Sequence, residues 1–249
     1  MDRYTRIKRG GKVALVQAWG AELLAAALLD GEGCVPVGEA GRGVLMRFSC
    51  PQGQGILRQY RRGGWIRHVL SDAYLLVNRP VRELQVHAEL YTAGLAVPMP
   101  LGVCWERRGL LVRGAFASVE IPGMDLCAWL RSGPENAGTV VARCGALIRQ
   151  MHDLHVWHAD LQVKNVVIAE ERPYLIDFDK AVIKPHLSPV LRARNLLRLR
   201  RSFDKNGLAP DFFRPLCEGY GMELLPGWLS RLYAVKGRLS DLASGRTPE

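Results

Sequence analysis

The rhythm of apolar and polar positions changes partway along this chain. In the first half the apolar runs are short and broken by glycine and proline. The stretch CVPVGEAGRGVLMRFSC, residues 34–50, reads as a strand, a glycine-rich turn and a second strand, and GILRQYRR, 55–62, reads as the next strand of a meander. RPVRELQVHAELYTAG, 79–94, spaces Val81, Leu84, Val86, Ala88 and Leu90 as a helix would and stops at Gly94. LAVPMPLGVCWERRGLLVRGAFASVEIPG, 95–123, returns to short strands punctuated by proline and ends in the turn or linker Pro122-Gly123.

Beyond that turn the helical period dominates. AGTVVARCGALIRQMHDLHV, 137–156, sets Val140, Val141, Cys144, Leu147, Ile148, Met151 and Leu154 on one stripe. SPVLRARNLLRLRRSFDK, 188–205, and LPGWLSRLYAVKGRLSDLA, 225–243, predict two more helices. The first of these is expected to bury Leu191, Leu196, Leu197 and Leu199. No internal repeat is visible, and the only biased tract is a frayed SGRTPE tail. The pattern predicts an α+β chain with a small β-rich lobe over 1–121 and a helical lobe over 122–249.

Composition narrows the partners. The chain has 249 residues, is 48% hydrophobic and carries a net charge of +10, with arginine far outnumbering lysine. Such a balance suits a polyanionic partner: phosphate, an anionic lipid surface or nucleic acid. The six cysteines stand far apart among apolar neighbours with no C-x-x-C pair, which predicts free thiols in a reducing compartment. The N-terminus lacks the apolar run of a signal peptide, and AELLAAALLD, the longest apolar candidate, is about half a membrane span.

The chemistry lies in HADLQVKN, 158–165, and LIDFDKA, 175–181. Phosphoryl transfer needs a carboxylate to orient or deprotonate the attacking hydroxyl, and oxygen ligands to hold magnesium against phosphate. Asp160, the Asn165 amide five residues later and Asp177 at the end of an apolar run fit those roles in that order. The intervening VVIAEERPYLI, 166–176, supplies two short strands of a hairpin that would join the motifs. Asp179, which stands where a protein kinase has glycine, is expected to be structural, pairing with Lys180, or else to face the metal. His152 and His155 read as packing or capping residues.

The two motifs resemble those of the protein-kinase-like superfamily. With LRQYRRGG (57–64), RELQVHAEL followed by LAVPMP, and NLLRLRRSF, the fuller pattern over residues 41–205 resembles the 3-deoxy-D-manno-octulosonic acid (Kdo) kinase family. The resemblance implies a bilobal protein-kinase-like fold and an enzyme that uses ATP and Mg2+ to phosphorylate a Kdo hydroxyl on a lipid A precursor. It further implies a peripheral position at the cytoplasmic face of a bacterial inner membrane. In that family pattern Asp160 is the catalytic base and His158 buttresses the loop; Asn165 and Asp177 are the metal ligands. Glu83 is the helix carboxylate that pairs with a phosphate-binding cation, and Arg58 stands where lysine is usual. Arginine brings a planar fork in place of a point charge. Lys12 is a poor substitute. The glycines of GEAGRG, namely Gly38, Gly41 and Gly43, are candidates to cover the phosphates through backbone N–H groups, although the spacing is not G-x-G-x-x-G.

The basic stretches RQYRRGGWIRH and LRARNLLRLRRSFDK are candidates for docking a lipid A headgroup and an anionic membrane surface. Another lipopolysaccharide kinase acting on heptose, a small-molecule sugar kinase and a catalytically silent kinase-like module remain alternatives. Nucleic acid is not expected as a partner, because no helix-turn-helix, zinc or RNP motif accompanies the charge.

Overall fold

A computed structural model describes residues 3–40, 43–60, 79–108 and 111–222. The chain divides into two compact units, Met1–Pro122 with Asp177–Lys180, and Gly123–Ile176 with Ala181–Glu249. Asp177–Lys180, which the sequence groups with the helical half, thus packs with the first unit. Gly41, residues 61–68 of the first basic stretch and the helix expected over 225–243 lie outside the described residues.

The first unit is built on a seven-stranded antiparallel sheet of order β1-β2-β6-β7-β5-β4-β3. Its strands are β1 (Tyr4–Arg9), β2 (Lys12–Gln17), β3 (Val35–Ala40), β4 (Gly43–Cys50), β5 (Gly53–Gln59), β6 (Pro100–Arg108) and β7 (Leu111–Val119). The β3-β4-β5 meander follows the sequence pattern. The β1-β2 hairpin does not: Gly10 and Gly11 turn it with φ of 51° and 83°, the doubly left-handed geometry that matches strand twist. β6 and β7 are nine residues each, longer than the short strands expected.

Both faces of this sheet are covered, because successive side chains of β7 point opposite ways. Ala115 and Ala117 join Ala14, Val16, Phe48, Leu57 and Leu101 under α1 (Ala21–Ala25) and the π-helical turn that continues it to Asp30, which contribute Leu24, Leu28 and Leu29. Phe116, between the two alanines, packs with Val103 and with Leu84 of α2 (Arg79–Thr92). α2 ends before Gly94 at φ 79°. It turns Glu83 and His87 inward beside Leu84, Val86 and Leu90.

In the second unit β8 (Met124–Asp125) leads into α3 (Leu126–Arg131), capped by Asp125, whose carboxylate accepts from Ala128 N–H at 2.9 Å. α4 (Ala137–Asp153) buries the expected stripe except Leu154, which is half-buried at its C-terminus, and adds His152. β9 (Val156–His158) pairs with β12 (Ala181–Ile183). β10 (Val166–Ala169) and β11 (Arg172–Leu175) form the expected hairpin, with Val166 opposite Leu175 and β8 on the other side of β10. α5 (Pro189–Lys205) buries Leu196 and Leu199, but Leu191 and Leu197 are only half-buried; Asn195 and Ser202 are buried beside Phe203.

α6 (Phe213–Tyr220) lies against α4 at glycine contacts. A Cβ on Gly145 would stand 2.0 Å from the Leu216 carbonyl oxygen, and one on Gly219 would stand 1.9 Å from that of Ala142. Only glycine at both positions permits this approach, which carries the Tyr220 hydroxyl to His152. All six cysteines are free. No helix among the described residues is long and apolar enough to cross a membrane.

Candidate active site

In the first unit the candidate residues converge on Glu83. Burial leaves its side chain 1% exposed, and both carboxylate oxygens are engaged: Arg58 Nη2 donates to Oε1 at 2.6 Å and the Tyr60 hydroxyl donates to Oε2. Glu83 is thus no solvated helix residue. Arg58 Nη1 also pairs with Asp177 at 2.8 Å, so one guanidinium fork joins a strand, a helix and the Asp177 turn. Asp177 adopts φ 64°, a left-handed conformation that aspartate tolerates better than most residues.

The rest of that turn is held as firmly. Phe178 is fully buried with its ring edge-on to His87, which stacks on Phe116. Asp179 accepts both Nε and Nη2 of Arg79. This corrects the expected partner: Asp179 has the structural role, but it pairs with Arg79 and not with Lys180. Arg58 and Arg79 both lie over the Tyr60 ring, at 5.4 and 5.6 Å from its centroid.

Burial sets the electrostatics here. It pushes the Glu83 carboxyl up to about 7, against the opposing pull of Arg58 and the Tyr60 hydroxyl. Burial also works against the Arg58 charge, but the Glu83 and Asp177 carboxylates outweigh it and leave its pKa raised. His87 Nε2 meets the Pro98 carbonyl oxygen at 2.7 Å, and burial lowers the ring pKa to about 4, so the imidazole is neutral. Lys12 donates to the Leu29 carbonyl oxygen at 2.5 Å and joins none of these groups. Gly43 opens β4 opposite Ala40, and Gly38 takes φ 152° at a bulge in β3.

In the second unit a buried, uncharged frame supports the loop after β9. Asn195 of α5 grips the backbone of His158 at both ends: its Oδ1 accepts from His158 N–H at 3.2 Å and its Nδ2 donates to the His158 carbonyl at 2.8 Å. The same Oδ1 meets His152 Nε2 at 3.1 Å, and His152 Nδ1 meets the Tyr220 hydroxyl at 2.8 Å. An amide oxygen only accepts, so the His152 proton sits on Nε2 and Tyr220 donates to Nδ1. Burial lowers the His152 pKa to about 4, consistent with that neutral ring.

The His158 ring ties the two motifs together locally. Asp160 N–H donates to Nδ1 at 3.3 Å, and Nε2 reaches the Ile176 carbonyl oxygen, also at 3.3 Å, one residue before Asp177. The Asp160 carboxylate is one-third exposed and accepts from Gln162 Nε2 at 2.6 Å, with Arg198 at 3.5 Å. Asn165 donates its Nδ2 to the Asp160 carbonyl at 2.7 Å, which fixes the amide orientation. Its own carbonyl accepts from Ile176 N–H at 3.0 Å.

A part-exposed, anchored carboxylate can accept a hydroxyl proton, and a half-buried guanidinium can present a phosphate-binding fork. Among the described residues no group of three or more His, Cys, Asp or Glu side chains gathers to hold a metal. The Asn165 amide oxygen and the Asp177 carboxylate are each hard oxygen donors, the ligand type that Mg2+ takes in small number alongside water and phosphate oxygens. Sequence reasoning missed Tyr60, Arg79 and Asn195. The signals were Tyr60 two residues after Arg58, and a polar Asn195 within an apolar helix stripe.

These groups on this scaffold define a phosphotransferase of protein-kinase-like fold. A solved structure of WaaP in complex with acyl carrier protein shares the fold, with a TM-score of 0.55 over 85% of this chain and 90% of that one at 16% identity. The model of the lipopolysaccharide kinase (Kdo/WaaP) family matches residues 31–220, and the chain belongs to that family. It is 34% identical to the 3-deoxy-D-manno-octulosonic acid kinase of Vibrio cholerae over 66% of this chain and 72% of that protein. It is 36% identical to the enzyme of the same name from Xanthomonas campestris pv. campestris over 70% of this chain and 72% of that protein. The β1-β2 hairpin precedes the family match.

Proposed function

We propose that this chain transfers the γ-phosphoryl group of ATP to a hydroxyl of a Kdo sugar on a lipid A precursor, in assembly of the lipopolysaccharide inner core. The observation that carries the reading is Asp160, one-third exposed on a loop whose backbone Asn195 and His158 hold, in a chain a third identical to enzymes named Kdo kinases.

Asp160 orients the acceptor hydroxyl and takes its proton as the oxygen attacks phosphorus. His158 keeps the loop in register. Arg58, aimed by Glu83, binds nucleotide phosphate oxygens. Asn165 and Asp177 would hold Mg2+, which supplies neutralisation of phosphate charge when bound. Asp177 pairs with Arg58 through Oδ1, which leaves Oδ2 to face a metal. The basic face of α5, with Arg194 and Arg198 exposed, supports an anionic glycolipid acceptor and a peripheral position at the cytoplasmic face of the inner membrane.

The test is transfer of labelled γ-phosphate from ATP to Kdo-lipid A with Mg2+, comparing the native chain with Asp160→Ala. Label in the lipid that vanishes in the variant is the expected result. ATP turnover without label in Kdo-lipid A, but with label in a heptose-bearing core, moves the acceptor assignment to heptose.

A further inference from the structure

We propose that Tyr60 is a positioning residue for the phosphoryl donor: its hydroxyl holds Glu83 turned toward Arg58, and through Glu83 it fixes the direction in which the Arg58 fork points. The inference rests on Arg58 being the ligand for nucleotide phosphate.

The need for such a residue follows from the arginine. A lysine ammonium is a compact point charge that needs only a nearby carboxylate, whereas a guanidinium binds along directions set by its plane. Arg58 directs Nη2 to Glu83 and Nη1 to Asp177, so its plane is set by where those oxygens stand. Asp177 is half-buried on a turn, and the remaining fixed point is Glu83, sealed from solvent. Glu83 Oε2 takes the Tyr60 hydroxyl. Without that hydroxyl, Oε2 would be a buried anionic oxygen short of a donor. The carboxylate would relieve this by rotating both oxygens onto the Arg58 fork or by taking a proton, and either response re-aims Arg58.

Tyr60 is well placed for the task. Its N–H donates to the Gly114 carbonyl at 2.9 Å, which ties the residue after β5 to β7. Arg58 in β5 and Tyr60 just past its end are two positions apart, and both side chains reach Glu83. The ring also lies under Arg79, whose fork holds Asp179, so Tyr60 touches both arginines that grip the Asp177–Asp179 segment. Tyr60 therefore acts on the donor through its neighbours and is not itself a catalytic residue.

The experiment is a double-mutant cycle on the full chain: native, Tyr60→Phe, Glu83→Met and the double variant. Each is assayed for kcat and for KM of ATP and of Kdo-lipid A, with thermal melting as the check on folding. Tyr60→Phe keeps the ring between the arginines and is expected to raise KM for ATP by about tenfold, leaving KM for the acceptor unchanged. The same substitution in the Glu83→Met background is expected to add nothing. An unchanged KM for ATP in Tyr60→Phe, or an equal increment in both backgrounds, would overturn the proposal, because a purely structural role is indifferent to Glu83. If Tyr60→Phe does not fold, Tyr60→Met, which also removes the donor but packs flexibly, replaces it under the same two criteria. Calorimetric ATP binding by the same four proteins separates this inference from the acceptor assignment. A native chain that binds ATP yet labels no Kdo-lipid A defeats the assignment alone, and the cycle in ATP affinity still decides Tyr60.

Discussion

The two units solve the problem of holding a functional side chain in opposite ways. Around Arg58 the first unit uses charge: Glu83, Asp177, Asp179 and Arg79 are paired in one network with Tyr60 among them. Behind His158 the second unit uses neutral hydrogen bonds, running from Tyr220 through His152 to Asn195 and the His158 backbone. A charged network can exchange partners, which suits a group that has to meet phosphate as well as carboxylates. A neutral buried network has one satisfied arrangement, which suits a loop that must stay fixed while a proton moves.

The sharpest way to break this contrast is at Asp160. Asp160→Asn keeps the shape but removes the base, and phosphoryl transfer is expected to fall by about 10²–10⁴-fold. The melting temperature should stay unchanged, because the carboxylate is one-third exposed and, among the described residues, supports only Gln162 and Arg198. A comparable fall in stability would show that the loop depends on Asp160 for its fold.

Next in size is Arg58→Ala, which leaves Glu83 buried without its cation. The expected cost is about 3–5 kcal/mol in denaturant unfolding, together with loss of activity. Asn195→Leu, the matching cut in the neutral network, strips two partners from the His158 backbone and is expected to cost about 1–3 kcal/mol. Its kcat should fall while KM for ATP stays near native. If Asn195→Leu costs as much as Arg58→Ala, the division between exchangeable and fixed networks fails.

The smallest effect is pH dependence, and buried histidines and a buried carboxylate pull it in opposite directions. His87 and His152 titrate near 4 when folded against a usual 6.5, so the unfolded chain binds more protons between those values and stability rises with pH. Glu83 titrates near 7 against a usual 4.5, so there the folded chain binds more protons and stability falls as pH rises. Two histidines against one carboxylate predict a net rise from pH 4.5 to 6.5 in urea melts. His152→Asn should flatten that slope and Glu83→Gln should steepen it.

Much of this protein was legible in residues close together in the chain. The helix of Glu83, the β10-β11 hairpin and the spacing of His158, Asp160, Asn165 and Asp177 follow from local periodicity and from motif chemistry. Even the departure from lysine at Arg58 was visible. Sequence could not show the price of that departure in partners, because Tyr60, Glu83, Arg79 and Asp179 meet only when strand, helix and turn are assembled. Nor could it show which polar residue of α5 faces inward: Asn195 and Arg194 are neighbours in sequence, and only packing against His152 and His158 decides between them. Local pattern, then, determined the elements and the reactive groups. Tertiary structure decided their partners, and with them the burial that sets the charge of Glu83 and the neutrality of His152.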